Sequence, residues 1–197
     1  AGVEIRLYTF VVAPVMDGDR VAGVIVESKS GRQALLAKVV VDATGDGDVA
    51  ARAGAEFRLG REGDSAMQPM TLMFKVGGVD MSRAILPPSF ETRIAVPSGE
   101  IQALARQILP HPAGHVLLYP TSIPGVVTCN MTNAIGVDGT KAEDLTAAQI
   151  LCRRQIPLIV KFLREHAPGY ENCHMLSAGA QIGMRETRRF IGVSTLT

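Results

Sequence analysis

The residue types best suited to chemistry fall in two short stretches of the chain. In the first, Val39-Val40-Val41 runs into Asp42-Ala43-Thr44-Gly45-Asp46-Gly47-Asp48, and Val49-Ala50-Ala51-Arg52-Ala53 then reads as a short helix closed by Gly54. A wholly apolar run suits a strand buried on both faces. Asp46 or Asp48 is placed to cap the helix, and Gly54 suits the left-handed position after its last turn. The apex carries almost no side chain, so its backbone N–H groups can approach a phosphate or a ribose closely. The same pattern also serves as a strand–turn–helix that binds no nucleotide. The second stretch is Gly183-Met184-Arg185-Glu186-Thr187-Arg188-Arg189. If it is extended, alternation through Met184, Glu186, Arg188 and Phe190 puts Arg185 and Arg189 on one face and Arg188 on the other. Two guanidiniums on one face can clamp a carboxylate or phosphate, or stabilise negative charge that develops during a reaction. The structural alternative is a surface strand with Glu186 as an ion-pair partner.

Other candidates are few. His111 and His115 flank Pro112 without carboxylate or thiol company, which reads as a surface loop rather than a metal site. His166, near the end of a long helical segment, suits the negative end of the helix dipole. His174 has no reading beyond its neighbourhood. Cys129, Cys152 and Cys173 are odd in number and widely spaced, the pattern of buried or idle thiols in a reducing compartment. Neither a nucleophile elbow nor a His-Glu-x-x-His motif occurs, and no metal is expected.

The order of motifs resembles that of the FAD-dependent oxidoreductase family with the glutathione-reductase-like flavin fold. The resemblance runs through the Asp-Ala-Thr-Gly-Asp-Gly-Asp turn, Gly54-Ala55-Glu56-Phe57, Gly60-Arg61-Glu62 and Gln68-Pro69-Met70-Thr71-Leu72-Met73-Phe74. It resumes at Asn130-Met131-Thr132, Gly136-Val137-Asp138-Gly139-Thr140 and Arg153-Arg154-Gln155, and ends with Pro168-Gly169-Tyr170-Glu171 and the arginine segment. It implies that Ala43, Thr44, Gly45, Asp46, Gly47 and Asp48 contact FAD. It also implies that the Gln-Pro-Met-Thr segment opens the substrate side, and that Arg185 and Arg189 lie toward flavin and substrate as catalytic residues. The family's first flavin motif, Gly-x-Gly-x-x-Gly followed by an acidic residue about 20 positions on, does not occur. The expectation is therefore an internal part of a longer flavoprotein, whose partners are a small-molecule substrate and the remainder of its own FAD-binding domain. The alternative is a non-redox module that binds an anionic small molecule through Arg185 and Arg189.

Composition is compatible with either reading. Apolar residues make up 47% of 197, enough for a real core. Aromatics are 5% with no Trp, and 20 basic residues against 19 acidic ones give a net charge of +1, which disfavours nucleic-acid binding. No apolar run near the length of a membrane span and no leader is visible, so no membrane association and a cytoplasmic location are expected.

The elements that must position these residues form three parts. Residues 1–68 read as a partial FAD-binding domain whose strands are Val3–Val15, Arg20–Glu27 and Ala34–Asp42, with hairpin turns at Asp17-Gly18-Asp19 and Ser28–Gly31. Residues 69–175 read as a substrate-side domain, mainly antiparallel. Its strands are Met70–Val76, Val116–Tyr119 and Val126–Met131, and a short helix follows Ser98-Gly99-Glu100 with Ile101, Leu104, Ala105 and Ile108 on one face. Asp80–Pro97 reads as a surface excursion. A capping box at Thr140–Glu143 starts a long helix with Leu145, Ile150, Ile156, Ile159, Val160 and Leu163 inward. Pro157 predicts a kink or break near Arg153, and Pro168-Gly169 the end. Residues 176–197 return the arginine motif toward the flavin site. The fold class is α/β to α+β: part of an FAD-binding domain, an antiparallel sheet and a long helix.

Overall fold

A computed structural model describes residues 2–194. In chain order its elements are β1 (Thr9–Asp17), β2 (Arg20–Ser28), β3 (Gly31–Leu36), α1 (Asp48–Arg52), β4 (Phe57–Leu59) and β5 (Phe74–Gly77). Then come β6 (Ala95–Val96), β7 (Gly99–Glu100), α2 (Ile101–Ile108), β8 (Leu118–Pro120), β9 (Val127–Cys129), α3 (Ala142–His166), β10 (His174–Ala178) and β11 (Arg188–Phe190). This is a mixed α/β chain with antiparallel sheets and one long helix, consistent with part of an FAD-binding domain. It divides into two compact units: the described residues up to Ser65 together with those from Glu186 onward, and Ala66–Arg185.

The first unit is built on the antiparallel meander β1-β2-β3. Pairing of Asp17 with Arg20 and of Ser28 with Gly31 leaves two-residue turns at both predicted hairpins. A second, two-stranded ladder pairs β4 with β11, Phe57 opposite Phe190. The outer strands are shorter than their sequences suggest. β1 starts at Thr9 instead of Val3, and β3 stops at Leu36, so Val39–Asp42 is not a strand. Val39 and Val41 are 77% and 83% exposed. β-branched residues alone do not make a strand; its backbone needs a neighbouring ladder, and none among the described residues pairs with this run. The arginine segment is likewise extended over Arg188–Phe190 alone. The alternation argument therefore reaches Arg189 but not Arg185, which lies before the strand.

The second unit has the four-stranded antiparallel sheet β10-β5-β9-β8 and a single apolar core. Met70, Leu72, Phe74, Val76, Val127 and Cys129 meet Ile101 and Ala105 from α2 and Cys152, Ile156, Ile159 and Leu163 from α3 in that core. The β8–β9 pair is the predicted one with trimmed ends. The Met70–Val76 strand is shorter, because ladder pairing starts at Phe74, with Phe74–Val76 paired on both sides; Met70 and Thr71 make isolated bridges to Ala134 and Gly183. Asp80–Pro97 is not a loose excursion. The Tyr170 hydroxyl donates to the Ile85 carbonyl at 3.0 Å, and the Pro87 carbonyl accepts from Leu118 N–H at 3.0 Å.

Helix starts differ from the sequence reading in their chemistry. α3 begins at Ala142 after Lys141 without a side-chain cap. The Thr140 hydroxyl donates to Asp138, and Asp144 reaches back to accept from Asp138 N–H at 2.8 Å. Burial alone would raise the Asp138 carboxyl, but hydrogen bonds from Thr140 and Lys141 outweigh it and hold the group below its ordinary value. α3 runs unbroken through Pro157, and Ile150 is exposed at its surface. In α2 the Glu100 carboxylate accepts from Gln102 and Ala103 N–H, and Ile108 faces outward.

Candidate functional site

The first site element is the turn at 43–48. Its order comes from acidic and hydroxyl side chains that fold back on their own loop. Asp42 accepts from Thr44 N–H at 3.1 Å, from the Thr44 hydroxyl at 2.7 Å and from Ala50 N–H at 2.8 Å. Thr44 in turn accepts from Asp48 N–H at 2.9 Å. So Asp42 and Thr44, not Asp46 or Asp48, satisfy the first donors of α1, and Gly47 is its cap in a left-handed conformation. Burial pulls the Asp42 carboxyl upward, yet the donors at Ala50, Thr44 and Val49 outweigh it and leave the group below the usual carboxylate range.

Asp46 and Asp48 are spent on the arginine segment. The Thr187 hydroxyl donates to Asp46 at 2.5 Å, and Arg188 bridges the Asp46 carbonyl at 3.0 Å and the Asp48 carboxylate at 2.8 Å. The Arg188 guanidinium also lies 5.5 Å from the Phe57 ring centre. Ala43, Thr44 and Gly45 stay exposed. Gly45 has φ +88°, and a Cβ built there meets nothing within 4 Å; at Gly47, by contrast, a Cβ runs into the Phe190 ring. The N–H groups of Gly45, Asp46 and Gly47 donate to nothing among the described residues. An open apex with unspent donors fits a cofactor phosphate or ribose edge.

The second site element is a cleft of about 270 Å³ within the second unit, lined by Pro69, Thr71, Phe90, His115, Leu117, Asn130, Met131, Thr132, Asn133 and Arg185. Three segments far apart in the chain meet here: Gln-Pro-Met-Thr, Asn-Met-Thr and the first arginine of the arginine motif. The backbone around it is held from the core side. Gln102, 1% exposed, pairs its amide with Val116, accepting from the N–H at 2.9 Å and donating to the carbonyl at 2.8 Å. Gln155, 2% exposed, does the same at Asn133, at 2.8 and 2.9 Å. The Thr132 hydroxyl bridges Leu72 N–H and carbonyl at 2.8 and 2.9 Å.

Three polar groups on the cleft wall remain unspent. His115 Nδ1 and Asn133 Oδ1 are buried without a hydrogen-bond partner, and Arg185 makes no hydrogen bond or ion pair among the described residues. Arg189 differs: its guanidinium donates to the Gly60 carbonyl and lies 3.4 Å from Glu186. The sequence reads His115 as a surface-loop residue. It does lie in the coil before β8, but part-buried, with its ring 5.4 Å from Phe90.

The remaining candidates are placed as follows. His111 is exposed, and His166 shares a hydrogen bond of 3.1 Å with the Ser98 hydroxyl. Arg153 and Arg164 donate to the Gly179 and Cys173 carbonyls. All three cysteines are free and buried; burial, with Cys173 adding to it, pushes the Cys129 thiol up, so it stays protonated. Among the described residues no group of side chains has metal-ligand geometry, and no helix is long and apolar enough to cross a membrane.

No curated protein and no solved structure matches the chain. A family match, in contrast, extends over residues 1–197, well beyond the turn and cleft whose motifs suggested it. By that match, the chain belongs to the family of FAD dependent oxidoreductases.

Proposed function

We propose that this chain positions flavin and substrate in an FAD-dependent oxidoreductase of glutathione-reductase-like fold, as part of a longer cytoplasmic flavoprotein. The observation that carries the reading is the cleft, which gathers Pro69 and Thr71, Asn130 to Thr132, and Arg185 around unspent polar groups. Ala43, Thr44 and Gly45, with the backbone of Asp46 and Gly47, hold the cofactor, while Asp48 fixes the turn through Arg188. Bound FAD supplies the hydride and electron chemistry; protein groups supply position and electrostatics. Arg185 holds negative charge on the substrate. Arg189, engaged with Gly60 and Glu186, supports the arginine segment instead, which also weakens the alternative of a non-redox module built on both arginines. The adenosine and pyrophosphate half of the site comes from a Gly-x-Gly-x-x-Gly unit elsewhere in the parent. Exposed Val39 and Val41 have the composition of a strand awaiting that neighbour.

The test compares two proteins. The 197-residue chain should purify colourless, since half a dinucleotide site loses most contacts while association still costs translational freedom. The protein extended by the residues encoded before Ala1 should carry stoichiometric flavin, and Gly45→Val in it should remove that flavin with the fold retained. An extended protein without flavin, or a Gly45→Val variant as yellow as its parent, defeats the proposal.

A further inference from the structure

We infer that the groove between β10 and α3 in the second unit docks an extended segment of a partner protein. The segment adds a strand to β10, turns apolar side chains toward α3 and carries an acidic residue at each end. This goes beyond the flavin reading and does not depend on it.

The two edges of the four-stranded sheet are finished differently. At β8, Leu118 N–H donates to the Pro87 carbonyl at 3.0 Å, so a neighbouring segment covers that edge. At β10, β5 takes one row of backbone groups, and no strand among the described residues pairs with the other. Neither lysine nor proline, two usual guards of an open edge, occurs in His174-Met175-Leu176-Ser177-Ala178. Met175 and Leu176 are both exposed there. An edge of this kind is a template for a further strand.

α3 runs along β10 and holds it at both ends. Arg164 donates to the Cys173 carbonyl at 2.7 Å, and Arg153 to the Gly179 carbonyl at 3.2 Å. The helix from Arg153 to Arg164 is about 17 Å long, and the strand path from Cys173 to Gly179 about 20 Å. Between these clamps lies a groove of about 650 Å³. Ile156, Pro157 and Val160, on one face of α3, and Met175 of β10 give it apolar walls. Pro157 has no N–H for the Arg153 carbonyl one turn earlier, so the helix leaves an acceptor beside the groove.

Charge decides the occupant. Arg153 stands toward the Gly179 end, and Lys161 and Arg164 toward the Cys173 end. Glu165 is the one acid on this lining among the described residues, 3.8 Å from Lys161, so both ends keep net positive charge. A second copy of the chain would bring the same cations to the groove, which disfavours it. A free acyl chain offers nothing to the open backbone row of β10. An extended segment with apolar residues at alternate positions and an acid at each end meets the backbone, the walls and the charges together.

The probe is the acetylated and amidated peptide Glu-Thr-Val-Thr-Val-Thr-Glu, with its glutamates and valines on one face. Titrated into the 197-residue chain, it should bind and shift the backbone amide NMR signals of Met175–Ala178. The same peptide with lysine at both ends should bind tenfold or more weakly, and Lys161→Glu should narrow that difference to threefold or less. Alternate amides of an added strand face β10. N-methylation of the valine amides and, separately, of the threonine amides should therefore abolish binding in one case and leave it within threefold in the other. No binding, equal affinities of the acidic and basic peptides, or equal losses from the two methylation patterns overturn the inference. Two further results also overturn it. Binding that is lost in the protein extended by the residues encoded before Ala1 would mean that the parent's own chain covers the groove. A dimer in sedimentation that the peptide dissociates would assign the edge to a second copy.

Discussion

The turn of the first unit and the cleft of the second both keep polar groups open to a ligand, but they divide the work between backbone and side chain in opposite ways. In the turn the side chains are consumed: Asp42 and Thr44 tie the loop to α1, while Asp46 and Asp48 hold Thr187 and Arg188. What remains open is main chain at Gly45 to Gly47. In the cleft the main chain is consumed by Gln102, Gln155 and Thr132 acting from the core. What remains without a partner among the described residues is side chain, at His115, Asn133 and Arg185. The difference follows from size. A seven-residue turn has no interior, so only neighbours can order it, and a side chain used for order is lost to binding. A cleft over a packed core can be ordered from behind.

The largest stability effect should come from cutting that support. Gln102→Leu leaves both backbone polar groups of buried Val116 without partners, so urea unfolding should show a loss of about 3 kcal/mol. Gln155→Leu should cost somewhat less, because Asn133 is only part-buried. A loss under about 1 kcal/mol in both would mean that the cleft is not ordered from its core side.

A smaller effect separates the arginines. Arg188 touches two oxygens and an aromatic face, and its side chain is 14% exposed. Lysine cannot span the Asp46 carbonyl and the Asp48 carboxylate together, so Arg188→Lys should cost about 1–2 kcal/mol. Arg185→Lys should leave stability within about 0.5 kcal/mol, since no partner is lost. Equal losses at both positions would remove the distinction between a structural and an unspent guanidinium.

The smallest effect is on the acid limb. Because the Asp42 carboxyl lies below its ordinary value in the folded chain, its contribution is complete above the unfolded value and fades as pH falls through the folded one. Melting temperature should drop more steeply below about pH 4 in the parent chain than in Asp42→Asn. Parallel curves would show that Asp42 does not organise the turn.

Much of the fold was legible because its cues are local. The turns at Gly18 and Ser30, α1 before Gly54, α2 after Glu100 and the end of α3 at Pro168 depend on residues a few positions apart. The errors lie where a partner decides. Thr140 and Glu143 have the letters of a capping box, but Asp144 answers to Asp138 instead. Ile108 and Ile150 have helical spacing, yet the core meets only the neighbouring stripe.

The same division holds for the site. Sequence alone determined the side-chain-free apex at Gly45 and the family motifs, since glycine placement and residue order are properties of the string. Tertiary structure alone decided that Arg188 pairs with Asp48, that strands end where ladders end, and that His115, Asn133 and Arg185 line one cleft. Those outcomes depend on which distant backbone and side-chain groups find each other when the core closes, and no local spacing encodes that pairing.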